Sequence, residues 1–171
     1  MSCDPVILPL RKVLIGLGLA VALAGCQVRP LYDEASGTTG SLGSIIYSAA
    51  SNRVGQEVRN HLIFLTAGGA GEPANPEYEV DLKVSTTTMG VLLDQSSDTA
   101  KAGRVIVSAS YKLKRASDAT TLHTGRRQVV AVVDYPSQEF AKLRAIRDGE
   151  DRAARELAEF IRADLASALG R

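Results

Sequence analysis

Two stretches near the middle of the chain alternate between apolar and polar residues, and this alternation restricts the fold more than any other feature. The first stretch runs from Tyr78 to Val84, and the second runs from Val105 to Leu113. Because successive side chains of a β-strand point to opposite faces, both stretches predict strands of a sheet that is covered on one face. The apolar run from Val129 to Val133 predicts a third strand, which is either central or meets another surface with its second face.

Helical periodicity appears on both sides of these predicted strands. The first helix is predicted to begin at a cap on Ser51 or Asn52 and to end at Gly68. The last helix is predicted to begin with Ser137 as its cap, and Gly149 weakens its middle by about 1 kcal/mol relative to alanine. The apolar residues predicted to face the core are Val54, Val58, Leu62 and Leu65 in the first helix, and Phe140, Leu143, Ile146, Leu157, Phe160, Ile161, Leu165, Ala168 and Leu169 in the last.

The predicted elements follow the order β-α-β-β-β-α, beginning with a short strand from Ile45 to Tyr47. A turn from Ser117 to Thr120 joins two of the strands as a hairpin, and the polar stretch from Gln95 to Gly103 is predicted to be a loop. One amphipathic sheet and two amphipathic helices close most simply as two layers. We therefore predict an α+β fold in which a small, mostly antiparallel or mixed four-stranded sheet carries two helices on one face and leaves its other face open.

The N-terminal region has the pattern of an export signal. A basic pair, Arg11 and Lys12, precedes an uncharged apolar run from Val13 to Ala24, which is shorter than the ~20 residues of a membrane-spanning helix. The run leads into a Leu-Ala-Gly-Cys sequence ending at Cys26, which resembles the lipobox of bacterial lipoproteins. We therefore predict a cleaved lipoprotein signal peptide over residues 1–25 and lipidation of Cys26.

The rest of the chain divides into a tether and one domain. Residues 26–41 include Pro30 and several small polar residues, so they are predicted to be the lipidated N-terminus and a tether, whereas residues 42–171 form a single α+β periplasmic domain. Gln27 lacks the negative charge that retains enteric lipoproteins at the inner membrane. The predicted location is therefore the periplasmic side of the cell outer membrane, held there by the lipid anchor.

Composition argues against several classes of function. The formal net charge is +1 and tryptophan is absent, so neither a nucleic-acid partner nor an aromatic stacking platform is indicated. His61 and His123 are the two histidines, and no cysteine or carboxylate stands at a metal-ligand spacing from either. Neither a Gly-x-Ser-x-Gly elbow nor a Walker-type phosphate loop is present. We predict a protein that is not an enzyme and uses no cofactor.

The basic residues of the predicted sheet are more informative. By alternation, Arg104, Lys112 and Lys114 lie on the face opposite Val105 and Leu113. Arg126 follows across the hairpin, and Ile106, Val130 and Val132 share the same outward face. Basic groups beside apolar ones suit an amphipathic anion such as a phosphorylated lipid. The alternative is that each cation only keeps this face soluble.

The sequence from Cys26 to Tyr32, Cys-Gln-Val-Arg-Pro-Leu-Tyr, resembles the opening of lipopolysaccharide-assembly lipoproteins of the LptE family. The stretches from Arg53 to Asn60 and from Arg152 to Ala158 are similar to the alphaproteobacterial type of this family. The resemblance implies a small sheet with two helices on one side. It also implies an outer-membrane lipoprotein that partners and plugs the lipopolysaccharide-translocating β-barrel of the LptD type, assists its assembly, and helps deliver lipopolysaccharide to the outer leaflet.

On this reading, lipopolysaccharide is the ligand expected at Arg104, Lys112, Lys114 and Arg126, and the partners are the barrel and the membrane that holds the lipid anchor. The sequence also leaves a second function open. A lipoprotein that is an auxiliary subunit or a tether of another envelope lipid-transport complex shares the same signal and can share an α/β domain.

Overall fold

The structure is a computed structural model that describes residues 37–94 and 99–170, without the side chains of residues 92–94 and 99–100. The signal peptide predicted over residues 1–25, the lipidation site Cys26 and the motif that ends at Tyr32 lie outside the described residues. The elements in chain order are α1 (Thr38–Gly43), β1 (Ile45–Tyr47), α2 (Arg53–Ala67), β2 (Tyr78–Asp94), β3 (Thr99–Arg115), β4 (Thr121–Asp134) and α3 (Glu139–Leu169).

The strands form one mixed sheet in the order β1-β2-β3-β4. β1 is parallel to β2, so α2 connects them as a crossover. β2, β3 and β4 are antiparallel neighbours joined by hairpins. The second hairpin turn is the predicted one, and in it the Asp118 side chain accepts a hydrogen bond from the Thr120 backbone N–H at 3.0 Å. The predicted four-stranded sheet is confirmed.

The core lies between one face of this sheet and the helices α2 and α3. Alternate residues of β3 are buried on that face, which explains the alternating pattern of the sequence. The two-layer α+β prediction is therefore confirmed. The largest buried side chains of the core are Ile45, Val58, Leu62, Val80, Val105, Val107, Tyr111, Leu113, Leu157, Ile161 and Leu165.

The ends of α2 follow from its sequence. The Asn52 side chain accepts a hydrogen bond from the Gly55 backbone N–H at 2.7 Å, so Asn52 rather than Ser51 is the cap. Gly68 ends the helix with a φ of 59°, in the left-handed region that glycine adopts without strain.

α3 differs from its prediction in two respects. Its N-cap is Gln138, which makes no side-chain cap hydrogen bond, so the predicted cap at Ser137 was wrong. Gly149 does not interrupt the helix, because it is buried where α3 crosses β4 and a Cβ there would lie 2.5 Å from Cγ2 of Val133. The absence of a side chain at Gly149 thus allows α3 to approach the sheet closely.

Two segments predicted to be irregular are regular. The tether predicted over residues 26–41 ends in helix α1, whose Thr38 and Leu42 are buried in the domain. A helix this short carries too little periodicity to be recognised in the sequence. The loop predicted from Gln95 to Gly103 is shorter than expected, since β3 begins at Thr99 and continues the hairpin with β2.

Candidate functional site

The face of the sheet that the helices leave open is the candidate site. On β3 this face carries the side chains that alternate with the buried ones, from Arg104 to Lys114. The strand register then sets which residues of β2 and β4 lie beside them. Three direct cross-strand neighbours, Lys83, Ser110 and Arg126, form what we call the cationic row.

The cationic row borders a shallow hollow of about 360 Å³. Both Lys83 and Arg126 are exposed, and neither makes an ion pair with any residue that the structure describes. Between them, Ser110 adds a hydroxyl that can donate a hydrogen bond. Two cations and a hydroxyl around one hollow can hold an anion such as a phosphate group. The hollow is lined by Lys83, Val84, Ser85, Ser108, Ala109, Ser110, Arg126 and Gln128.

Two of the predicted cations have acidic neighbours. Lys112 lies opposite Asp81 on β2, and Lys114 lies opposite Glu79. Opposite charges directly across an antiparallel pair favour the sheet, although neither lysine comes within 4.0 Å of its acidic neighbour as an ion pair in the part of the chain that is described. On β3, Lys112 lies two residues from Ser110 of the cationic row, and Lys114 lies four residues from it.

Arg104 is separate from the other predicted site residues. It lies eight residues from Lys112 on the same strand, which corresponds to about 26 Å. Its cross-strand neighbours are Met89 on β2 and Val132 on β4. The structure therefore places Lys112, Lys114 and Arg126 near one another but does not bring Arg104 to the same place.

Lys83 belongs to the site but was not among the residues chosen from the sequence. It lies in the first alternating stretch, on the same side as Asp81, so alternation alone places it on the open face. Its position beside Ser110 depends on the β2–β3 register, which a single sequence does not supply.

The end of the open face around Arg104 is apolar. Val132 is 64% exposed and Met89 is 46% exposed, although both are large apolar side chains. Val130 is also exposed, and Ile106 lies beside it on β3. These four residues, which we call the apolar end, are separated from the cationic row by Ser108 and its neighbours. The open face is thus polar and cationic at one end and apolar at the other.

The opposite face of the sheet holds a different polar group of residues. Arg127 follows Arg126 in sequence but points towards α3, where it donates to both carboxylate oxygens of Asp164 at 2.5 and 2.7 Å. Tyr111 donates a hydrogen bond to the same carboxylate. The hydrogen bonds from Arg127 lower the pKa of Asp164, and burial with the bond to Asp164 raises the pKa of Tyr111. These bonds join α3 to the sheet and are not part of the open face.

Within residues 37–94 and 99–170, no cluster of His, Cys, Asp and Glu side chains is suited to hold a metal ion. In the same part of the chain, no helix combines the length and apolar character needed to cross a membrane.

Comparison with solved structures identifies the family. A candidate lipoprotein from Caulobacter crescentus has 31% sequence identity to this chain, with a TM-score of 0.62. The match covers 77% of this chain and 93% of the Caulobacter protein. The chain belongs to the lipoprotein family that this protein represents.

A more distant member of the fold is the rare lipoprotein B of Shewanella oneidensis. Its identity to this chain is 12% and its TM-score is 0.55, over 72% of this chain and 92% of the Shewanella protein. At this identity the similarity concerns the fold alone. No protein-family model matches the sequence, and no curated protein is significantly similar to it.

Proposed function

We propose that the chain is an outer-membrane lipoprotein of the LptE family, of the alphaproteobacterial type. In this role it partners and plugs the lipopolysaccharide-translocating β-barrel, assists its assembly, and helps to deliver lipopolysaccharide to the outer leaflet. The observation that carries the proposal is the open sheet face, which combines the cationic row with the apolar end. Membership in a lipoprotein family and the Arg-Pro-Leu-Tyr sequence from Arg29 to Tyr32 support it.

Lipopolysaccharide presents phosphate groups beside several acyl chains, so both ends of the open face have a counterpart in it. An exposed cation contributes only about 0–1 kcal/mol to holding a phosphate. A buried methylene contributes about 0.8 kcal/mol, so the apolar end supplies most of the affinity. The cationic row then fixes the orientation of the headgroup. This is a carrier function, with no catalytic step and no cofactor.

The ligand part of the proposal is tested by reversing the cationic row. We expect Lys83→Glu with Arg126→Glu to weaken lipopolysaccharide binding by about tenfold, since two favourable charges become repulsive. The matched control is Arg115→Glu with Arg155→Glu, which makes the same change of net charge at two exposed residues that are not on the open face. Binding is measured by titration with fluorescent lipopolysaccharide in detergent, and folding is checked by thermal melting. Equal losses in the two variants would contradict a role for the row.

The partner part is tested by isolating the lipidated protein from membranes in mild detergent and identifying what it carries. We expect an outer-membrane β-barrel of the LptD type, and depletion of the lipoprotein should reduce lipopolysaccharide at the cell surface. Recovery of the subunits of a different lipid transporter would instead favour the second function, an auxiliary or tethering lipoprotein of that complex.

A further inference from the structure

The first turns of α3 expose an apolar and basic stripe. Phe140 is 73% exposed and Leu143 is 50% exposed, and Arg144 and Arg147 are exposed beside them. The spacing i, i+3, i+4, i+7 places all four on one side of the helix. The sequence pattern assigns Phe140, Leu143 and Ile146 to the core, but of these three only Ile146 packs against it.

This stripe lies beyond the end of β4. Gly149 contacts Val133, the penultimate residue of β4, and α3 begins ten residues before Gly149. At 1.5 Å per residue, the start of the helix therefore projects about 15 Å further. The apolar end of the open face, with Val132 and Met89, belongs to the same end of the domain. Large apolar side chains are thus exposed on both the helical layer and the sheet at this end.

The charge of the stripe is positive and unopposed. Arg144 and Arg147 make no ion pair with any residue in the described ranges. The flanking acids are already engaged, since Glu139 lies 3.7 Å from Lys142, and Asp148 pairs with Arg152. Lys142 also lies over the ring of Tyr135, at 5.1 Å from its centroid. A helix with exposed Phe and Leu beside unpaired arginines is typical of segments that bind the surface of an anionic membrane.

We propose that this end of the domain docks on an anionic phospholipid bilayer, with Phe140 and Leu143 inserted at the boundary of headgroups and acyl chains and Arg144 and Arg147 on lipid phosphates. Exposed Phe140 and Leu143 beside unpaired Arg144 and Arg147 match the acyl chains and the phosphates that such a bilayer presents together. The positive charge of the stripe complements the negative charge of the lipids. This contact is additional to lipopolysaccharide transport and does not require it.

The contact is also distinct from an anchor at Cys26. The described chain starts next to α1, and Thr38 lies beside Gly170 at the other end of α3. α3 has 31 residues, so the two ends of the domain are separated by about 46 Å along the helix. The described chain therefore enters the domain at the Thr38 end, and the stripe lies at the opposite end.

The chain has no tryptophan, so a single introduced tryptophan reports its own surroundings. The test places Leu143→Trp in the full protein, purified from membranes and reconstituted into vesicles of phosphatidylcholine with or without phosphatidylglycerol. Ser117→Trp, in the exposed β3–β4 turn at the other end of the domain, is the control. Phe140→Trp is a second reporter of the stripe and is interpreted if Leu143→Trp melts early.

We expect the emission of Leu143→Trp to shift to shorter wavelength in anionic vesicles, with quenching by brominated lipids at least about twofold stronger than for Ser117→Trp. Adding Arg144→Glu and Arg147→Glu should abolish this difference. Equal quenching at the two positions, or quenching that ignores the charge reversal, would overturn the proposal. A shift that requires addition of the purified barrel would overturn it in favour of a protein partner. The vesicles contain neither barrel nor lipopolysaccharide, so failure here leaves the proposed function untouched.

Discussion

At the scale of single residues, glycines mark the places where a side chain or a whole layer comes closest to the backbone. The ring of Tyr111 lies over Gly125 of the neighbouring strand, and Tyr135 lies over Gly103, where any Cβ would overlap the aromatic ring. Gly149 likewise allows a close approach, in this case between α3 and Val133 of β4. Helix propensity alone predicts that Gly149 destabilises α3, whereas the packing against β4 leaves no room for a side chain at this position.

Replacing Gly149 by alanine should therefore destabilise the domain. The new methyl group would lie 2.5 Å from Cγ2 of Val133, and overpacking of this kind costs about 1–3 kcal/mol, against a helix gain of about 1 kcal/mol. The control is Gly40→Ala in α1, where no atom lies within 4 Å of the new methyl group and a small gain in stability is expected. Denaturant unfolding measures both changes. A more stable Gly149→Ala would mean that α3 moves away from the sheet without cost.

Asp164 should make the stability of the domain sensitive to acid. Its pKa in the folded state is held below the ordinary aspartate value of 3.8 by the hydrogen bonds from Arg127, so it stabilises the fold fully above about pH 5. That contribution is lost as the pH falls through the lowered pKa. We expect Asp164→Asn to melt earlier than the parent protein at pH 6, by the equivalent of about 1–2 kcal/mol, and to lose less on acidification to pH 3.

Circular dichroism melts at the two pH values decide this prediction. Glu139→Gln is the matched control, because the Glu139 side chain is 74% exposed and has only a 3.7 Å contact with Lys142. Parallel loss of stability by the parent protein and Asp164→Asn between pH 6 and pH 3 would show that other carboxylates govern the acid response.

At the scale of elements, α3 contributes more buried side chains to the helical layer than α2 does. Leu157 and Ile161 lie one turn apart and are completely buried, whereas Phe160 between them is exposed. Leu157→Ala should lower the free energy of unfolding by about 2–5 kcal/mol, because it leaves a cavity against the sheet. Phe160→Ala on the same helix should cost less than about 1.5 kcal/mol. If the two variants had similar denaturation midpoints, the side of α3 that carries Leu157 would not pack in the core.

Side chains cover part of the edge that β1 leaves exposed. The Tyr47 backbone N–H donates to Glu72 at 3.0 Å, and Arg59 holds the other oxygen of that carboxylate at 2.5 Å. Beyond the end of β1, Ser48 accepts a hydrogen bond from the Leu82 backbone N–H at 2.9 Å. Asn52 donates to the Val84 carbonyl at 2.9 Å, so it both caps α2 and closes part of the β2 edge. Occupying edge groups in this way limits pairing with other chains.

The elements differ in how far the sequence predicts them. The strands were predictable because their one buried face imposes a period of two, which Val105 to Leu113 displays without interruption. α3 was predictable as a helix but not in its details. Phe140 continues its apolar stripe in sequence, yet the helix has passed the end of β4 at that point, and the side chain is 73% exposed. Periodicity gives the face of a helix, and the length of the neighbouring strand decides how much of it is covered.

At the scale of the whole molecule, the candidate site required information from three strands. The sequence supplied Arg104, Lys112, Lys114 and Arg126 as outward-facing cations, and each of them does lie on the open face. Which of them are close together depends on register. The hairpin between β3 and β4 has its irregularity between Leu113 and Lys114, which no single-strand pattern reveals. The division of the face into a cationic row and an apolar end therefore emerged only with the fold.

The lipid anchor is a prediction about the whole protein. Cys26→Ala should leave the precursor uncut and without acyl chains, because the Cys26 thiol is the predicted attachment site. Several acyl chains at about 0.8 kcal/mol per methylene would make membrane attachment permanent. Mass spectrometry of the membrane-extracted protein measures both changes. Gln27 predicts fractionation with the outer membrane, so recovery of the lipidated protein in the inner membrane would contradict the proposed location.

The place of α3 after the strands has a consequence for folding. Leu157, Ile161 and Leu165 follow the whole sheet in the chain, and β1 and α2, which precede it, have no sheet to join until β2 follows. The hydrophobic layer thus stays open until α3 has been added. If the chain is exported unfolded, as its N-terminal pattern predicts, late closure favours that step. It also leaves an interval in which a chaperone has apolar surface to hold.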